Sequence, residues 1–243
     1  DVRLYKGVAK YKGGFDVPKP YTPVGIEAFR TTADTCKNNF ATWNPLNISA
    51  TNGSTSYNQR TFSDGNLTVT STALNHGASS NFQVSSGKWY WEFRLNNFLA
   101  DNIWLGVLDH DYGGTNIPKP VDSNYFPTGN NVALDLYGSS GAVYRGTSYN
   151  ANFGNSIRTG DILGVSLDLD TDGNTEPRVG YYRNGALQGT SSGSMSGNPT
   201  GLWRPAITFG GGQSGWIVGA NFGQNPSFSD THAVNRNRVN TSN

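Results

Sequence analysis

The chain has 243 residues, a formal net charge of +1 and 14% charged residues without a basic cluster, so its electrostatics give no reason to expect a nucleic acid or an anionic membrane as partner. Cys36 is its one cysteine, which excludes an internal disulfide and a cysteine-rich metal site; the apolar runs fall short of the roughly 18 residues that span a bilayer, and no signal-peptide pattern opens the sequence. With 31 glycines, abundant Asn, Ser and Thr, and no window carrying a helical stripe, the chain is expected to be all-β and long enough to bury a core.

Residues 1–23 begin with a short alternating stretch, continue through a basic and aromatic one and reach Pro18, Pro20 and Pro23. Proline fixes φ and removes backbone donors, so an extended connector is expected there. Residues 24–59 are irregular; Phe40, Trp43 and Leu46 are placed to pin this segment on a sheet as a cover, and 47–57 form a polar loop. Gly65 and Asn66 turn into a short alternating strand, and Phe82 and Val84 mark another.

Residues 86–109, SGKWYWEFRLNNFLADNIWLGVLD, organise the rest. Trp89, Trp91, Phe93 and Leu95 alternate with Lys88, Tyr90, Glu92 and Arg94, the period of a half-buried strand. Residues 103–108 follow as an almost wholly apolar run. The economical reading is two neighbouring strands joined by a turn at the centre of a sandwich core, with Trp89, Trp91 and Trp104 each removing roughly 150–250 Å² from water.

Residues 109–131 form a long loop, of a length that is usually functional or disordered. Val132, Leu134 and Leu136 alternate as a strand, 138–141 turn it, and 143–145 pair back. Leu163, Val165, Leu167 and Leu169 share one face of a further strand, and residues 178–183 return to Asn184-Gly185, a type I′ hairpin signal. Residues 189–201 read as a flexible Ser- and Gly-rich loop. The last strands, 203–209 and 216–222, are expected to form a hairpin through Gly210, Gly211 and Gly212. From residue 229 the tail is polar and lacks a burial pattern, so it docks on a partner or frays.

The chemistry-bearing residues form no strong constellation. Asp168, Asp170, Asp172 and Gly173 begin like a calcium loop, but its twelfth position is Val179, where the bidentate glutamate belongs, and Glu176 at the ninth does not replace it; a strand end and hairpin is the simpler account. Asp109, His110 and Asp111 lack a second ligand cluster and read as a polar turn. Glu92, between Lys88 and Arg94, reads as a cross-strand ion pair and not as half of a glycosidase carboxylate pair. His76, His110 and His232 are scattered and mark no nucleophile–base pair, and the three glycines at 210–212 precede no helix or lysine that would make a phosphate cradle. Asn47, Asn52, Asn66 and Asn240 begin N-x-[ST] sequons, as chance provides in such a composition. No cofactor is indicated.

Six pieces in order, S-G-K-W-Y-W-E at 86–92, W-L-G-V at 104–107, G-D-I-L-G-V-S-L-D-L-D at 160–170, Y-Y-R-N-G at 181–185, W-R-P-A-I at 203–207 and N-F-G at 221–223, resemble a SPRY domain over residues 60–228. The resemblance implies a bent antiparallel β-sandwich, related to concanavalin-like jelly rolls, that binds other molecules through edge loops and does not catalyse. The variety it is most similar to is that of tail-fibre and other virion proteins of tailed phages, where a laminin-G-like segment runs through T-x-x-N-N-F-A-T-x-N-P-L, as residues 35–46 do. Residues 1–11 and 15–18 resemble the last strand and exit of such a module.

The organisation so implied is a terminal strand and connector of an upstream laminin-G-like module at 1–23, a linker or cover at 24–59, the sandwich at 60–228 and a polar tail at 229–243. The function implied is that of a non-enzymatic virion surface protein on a fibre, spike or capsid appendage, homo-oligomeric, with the trimer of fibre proteins as the expected state. Its partners would be other virion proteins and a host surface polysaccharide or receptor. A ligand site is expected among the long loops, with Tyr112, Tyr125, Tyr149 and Trp203 as stacking surfaces and Asp111 and Asn131 as polar contacts. The rivals are a purely architectural decoration or adaptor module, a glycan-degrading protein, for which no tuned carboxylate pair is marked, and a cellular peptide-binding SPRY protein, which residues 1–46 disfavour.

Overall fold

Among the described residues the alternating stretches are realised as strands, except at Phe82 and Val84, where Val84 makes only an isolated bridge to Trp203; the alternating start of residues 1–23 lies outside the described residues. The computed structural model describes residues 40–46, 60–72, 76–98, 103–109, 133–137, 140–145, 148–150, 153–173, 175–192, 200–209 and 215–225. Among them are β1 (Arg60–Ser63), β2 (Thr68–Ser71), β3 (His76–Ser79), β4 (Lys88–Asn97), β5 (Ile103–Asp109), β6 (Ala133–Tyr137), β7 (Ala142–Arg145), β8 (Ser148–Asn150), β9 (Ile162–Asp168), β10 (Arg178–Arg183), β11 (Ala186–Ser191), β12 (Trp203–Phe209) and β13 (Ile217–Asn221), and no helix. One sheet has the order β1-β2-β13-β4-β9-β10-β11 and the other β3-β12-β5-β6-β7-β8, with every pairing antiparallel. The all-β sandwich expected from the pattern is the architecture found.

The core lies between the sheets. Trp91, Phe93 and Leu95 of β4 share their face with Val165 and Leu163 of β9 and Val218 of β13, and in one cluster they meet Ile103, Leu105 and Val107 of β5 and Ile207 and Phe209 of β12. The β10–β11 connection is the anticipated hairpin turn, with Asn184 at φ 50° and Gly185 at φ 81°, the left-handed pair a type I′ turn needs. The β6–β7 and β9–β10 pairings also follow the expected order.

The structure corrects several expectations. β4 and β5 are not neighbours: β4 lies between β13 and β9, and β5 between β12 and β6 of the opposite sheet. Two consecutive apolar strands hide their faces equally well side by side or face to face, so periodicity does not distinguish a hairpin from a crossing between sheets. For the same reason β12 and β13 are not a hairpin: they lie in different sheets, and the glycines at 210–212 lie outside the described residues. Trp89 is 48% exposed, because the first three residues of β4 lie beyond the buried part of the strand; its indole Nε1 donates to the Ser86 carbonyl at 2.7 Å. The stretch 189–191, expected in a loop, completes β11. Gly189 is there for space, since a Cβ would fall 2.9 Å from the Phe153 ring.

Of the three residues expected to pin the cover, Trp43 is fully buried and Leu46 is 84% exposed, while the Phe40 ring lies against Gly223. Trp43 stacks on Phe93 at 5.6 Å between ring centroids and meets the Phe222 ring edge-on at 5.5 Å. Its amide donates to the Asn66 carbonyl at 2.9 Å, beside β2, while the Asn44 amide donates to the Ser79 carbonyl and the Asn81 amide to the Thr42 carbonyl, beside β3. The cover therefore stitches the seam between the two sheets.

Candidate functional site

Strand registers bring the ends of several elements to one end of the sandwich. Trp203, the first residue of β12, pairs with Asp109, the last of β5; Lys88, the first of β4, pairs with Asp168, the last of β9, which pairs in turn with Arg178, the first of β10. Val84 bridges Trp203 through two backbone hydrogen bonds of 2.7 and 2.8 Å, which ties the approach to β4 to the end of β12. This end thus carries residues 80–87, 169–173, 175–177 and 200–202.

Polar side chains lock these connections. Asp109 is buried; its carboxylate accepts from Thr200 Oγ1 at 2.5 Å and from the Gly201 amide at 3.0 Å. Arg204, also buried, donates from Nη2 to Gln83 Oε1 at 3.0 Å; burial lowers its pKa, and the Asp109 charge opposes that shift. Asp170 Oδ1 accepts from the Gly87 amide at 2.7 Å, and Asp172 takes a two-nitrogen contact from Arg178, with Nε at 3.1 Å and Nη2 at 3.0 Å. Asp168 accepts from the Asp170 and Thr171 amides, each at 3.0 Å, from Thr171 Oγ1 at 2.6 Å and from Lys88 Nζ at 3.0 Å. The three carboxylates that resemble a calcium loop are thus each committed to protein donors.

Glu92 is placed differently from expectation. Lys88 pairs with Asp168, while Glu92 accepts from Asn221 Nδ2 at 3.1 Å and from the Tyr90 hydroxyl at 3.3 Å. Asn221 also donates to the Asn225 carbonyl and accepts from the Gly223 and Asn225 amides, which explains the N-F-G ending as a turn folded around its own asparagine.

Partial burial raises the Asp168 carboxyl, but the donors from Thr171, Lys88 and the Asp170 amide outweigh it and hold its pKa well below the usual carboxylate range. A pKa depressed by folding stabilises fully above the unfolded value of about 4 and is lost progressively as pH falls toward the folded value. Urea midpoints on acidification below about pH 4 are expected to fall further for the parent than for Asp168→Asn. The difference should be only about 1 kcal/mol, since the Lys88 side chain is 59% exposed and screened by solvent. Identical acid profiles would refute this.

Of the residues expected to bind a ligand, Asp111, Tyr112, Tyr125 and Asn131 lie outside the described residues. Tyr149 is on β8, paired with Tyr144 of β7, and its side chain lies outside what is described. Trp203 is a correction: it is fully buried in the core cluster and offers no face for stacking, because the backbone bridge to Val84 closes over the start of β12. Among the described residues, the exposed aromatics not expected to bind a ligand are Phe82 and Trp89 at this end and Tyr90 on the outer face of the seven-stranded sheet. For Tyr90 the signal was present, since it stands at an even, outward position of β4.

No family model and no curated protein matches the chain. Solved structures do: the SPRY domain of human HERC1 has a TM-score of 0.53 at 16% identity, covering 75% of this chain and 99% of that one. A human SPRY domain (TM-score 0.49, 16% identity, 69% of this chain and 97% of that one) and the TRIM65 PSpry domain (TM-score 0.49, 14% identity, 75% and 89%) also match. On the first of these likenesses, the fold is that of SPRY domains.

Proposed function

We propose that the chain is a non-enzymatic recognition module on the surface of a tailed-phage virion, in which a SPRY sandwich holds a rigid frame for loops that bind a host surface glycan or receptor. The observation that carries the reading is the end of the sandwich built by β4, β5, β9 and β12. Its carboxylates at Asp109, Asp168, Asp170 and Asp172 are spent on holding connections in place, while Trp89 and Phe82 stay open to solvent. Groups so committed are suited to a scaffold. The virion setting is supported by residues 35–46, whose sequence resembles the segment that precedes such modules in fibre proteins; neighbouring virion proteins and further copies of the chain, as in a trimeric fibre, are the partners this implies.

The test uses the 243-residue chain, labelled, on bacterial cells and on a glycan array, with sedimentation velocity for its assembly and an assay for released reducing ends. Retention on cells that extracted surface polysaccharide competes away, without product release, is the expected result. Polysaccharide cleavage would overturn the non-enzymatic reading, and tight self-association with no binding to cells or glycans would replace recognition by an architectural role.

A further inference from the structure

The outer face of the seven-stranded sheet carries an aromatic stripe that the sandwich does not use. Tyr90 on β4 is 52% exposed, and its ring meets that of Tyr182 on β10 edge-on at 6.1 Å. Tyr182 is paired in register with Leu187 on β11, which is 56% exposed. The strand between the two tyrosines has Gly164 and Ser166 on this face, and β10 has Gly180. A Cβ at Gly164 would meet Tyr90 at its hydroxyl and ring, and one at Gly180 would fall 2.6 Å from Ser166 Oγ. Tyr90 therefore lies down over a glycine, where any side chain would force it up.

The ring is also held at its tip. The Tyr90 hydroxyl donates to Glu92, which Asn221 holds from the neighbouring strand. An aromatic surface fixed by a glycine floor, a second ring and a hydrogen bond loses little conformational entropy when a ligand covers it. The charged groups around the stripe leave no positive excess: Lys88, Arg94 and Arg178 stand with Asp168, Asp170, Asp172 and Glu92, and two of the pairs, Lys88–Asp168 and Arg178–Asp172, are in direct contact. Thr190, exposed beside the stripe, and Ser166 add hydroxyls.

We infer that this stripe is a docking site for a short, uncharged oligosaccharide, whose apolar ring faces stack on Tyr90 and Tyr182 and whose hydroxyls meet the polar groups around them. Charge balance argues for a neutral ligand over an acidic one. Area argues against a protein or a second copy: Tyr90 and Leu187, about half exposed, and Tyr182, partly buried, together offer roughly 250 Å², taking roughly 150–250 Å² for a whole aromatic side chain, where a stable protein interface takes about 800 Å² from each partner. The inference deepens the recognition reading above and rests on it, but it places the glycan on a sheet face and not on the loops.

The experiment is an array of neutral oligosaccharides with uronic-acid and sulfated controls, probed with the 243-residue chain and with Tyr182→Ala, Leu187→Arg and Leu46→Ser, each checked by its melting temperature. Retention of neutral oligosaccharides, weakened about tenfold or more by Tyr182→Ala and by Leu187→Arg and unchanged by Leu46→Ser, supports the site. Should Tyr182→Ala melt early, Leu187→Arg carries the test alone, because its side chain is on the surface. Glycan binding that folded variants leave intact would overturn the sheet-face site while the recognition reading stands, as would a preference for acidic or sulfated glycans. No glycan binding by the parent chain would overturn the site, and the recognition reading falls with it only if cells are not bound either.

Discussion

Replacing Trp43 by alanine is expected to destabilise the sandwich by about 3–5 kcal/mol, the range for deleting a large buried aromatic. The indole is fully buried, stacks on Phe93 and takes the edge of Phe222, so its removal opens a cavity lined by rings that β4 and the end of β13 cannot easily close. The backbone on both sides of it ties the seam to Asn66, Ser79 and Asn81, and that stitching holds only while the ring is seated. Trp43→Phe should cost less, about 1–2 kcal/mol: it keeps a ring and removes an indole N–H for which there is no acceptor among the described residues. Leu46→Ala, at an exposed position, should stay within about 0.5 kcal/mol. Urea denaturation at equal slope measures all three, and a Trp43→Ala loss below about 1 kcal/mol would show that the seam is not part of the folding unit. By the same argument a chain beginning at residue 60 should fold poorly, although it would keep every described strand of both sheets.

That contrast shows where sequence reading reaches and where it stops. The inward faces of β4 and β9 and the Asn184-Gly185 turn were legible because each is a local statement, carried by alternation or by two residues that tolerate positive φ. The partners of β4, β5, β12 and β13 were not legible: the runs in β4 and β5 specify which face is apolar and leave open whether the neighbour lies beside it or across the core. Phe40, Trp43 and Leu46 have no strand period, and nothing in their spacing says that Trp43 alone should be buried completely. The acidic loop misleads in a similar way. Asp168 and Asp170 look like ligands in the sequence because their donors, Lys88 and Gly87, are about 80 residues away in the chain. Trp203 looked available because a tryptophan after a Gly- and Ser-rich stretch resembles a loop aromatic, and only the register with Asp109 places it inside. Sequence thus specified faces and turns, and left to the fold the question of which polar group meets which.

The node at Asp161 makes the same point as a measurable energy. This carboxylate, nearly buried at the start of β9, accepts from Arg183 Nε at 2.8 Å, from the Arg158 amide at 2.8 Å and from Asn184 Nδ2 at 2.7 Å. Asn184 in turn exchanges hydrogen bonds with the Ile162 backbone, its amide and its Oδ1 each at 2.8 Å, and the Asp161 carbonyl accepts from the Leu95 amide at 3.0 Å. One side chain therefore fixes the β10–β11 turn to the beginning of β9 and, through the backbone, to β4. Asp161→Ala leaves a guanidinium, a backbone N–H and a side-chain amide without their acceptor, and is expected to cost about 3 kcal/mol, at the low end for breaking a buried ion pair because Arg183 is partly exposed. Asp161→Asn preserves the shape but must turn its Nδ2 toward a donor, either Asn184 Nδ2 or Arg183 with the Arg158 amide, and weakens the bond to Arg183, so about 2 kcal/mol is expected. Arg183→Met should cost less than either, since it leaves the carboxylate with two of its three donors. Faster hydrogen exchange at the Ile162 and Asn184 amides should accompany the loss in Asp161→Ala, because those bonds depend on the turn being held. An Asp161→Ala protein within about 1 kcal/mol of the parent, with unchanged exchange there, would mean that the turn is held by its own left-handed residues and that the carboxylate is incidental.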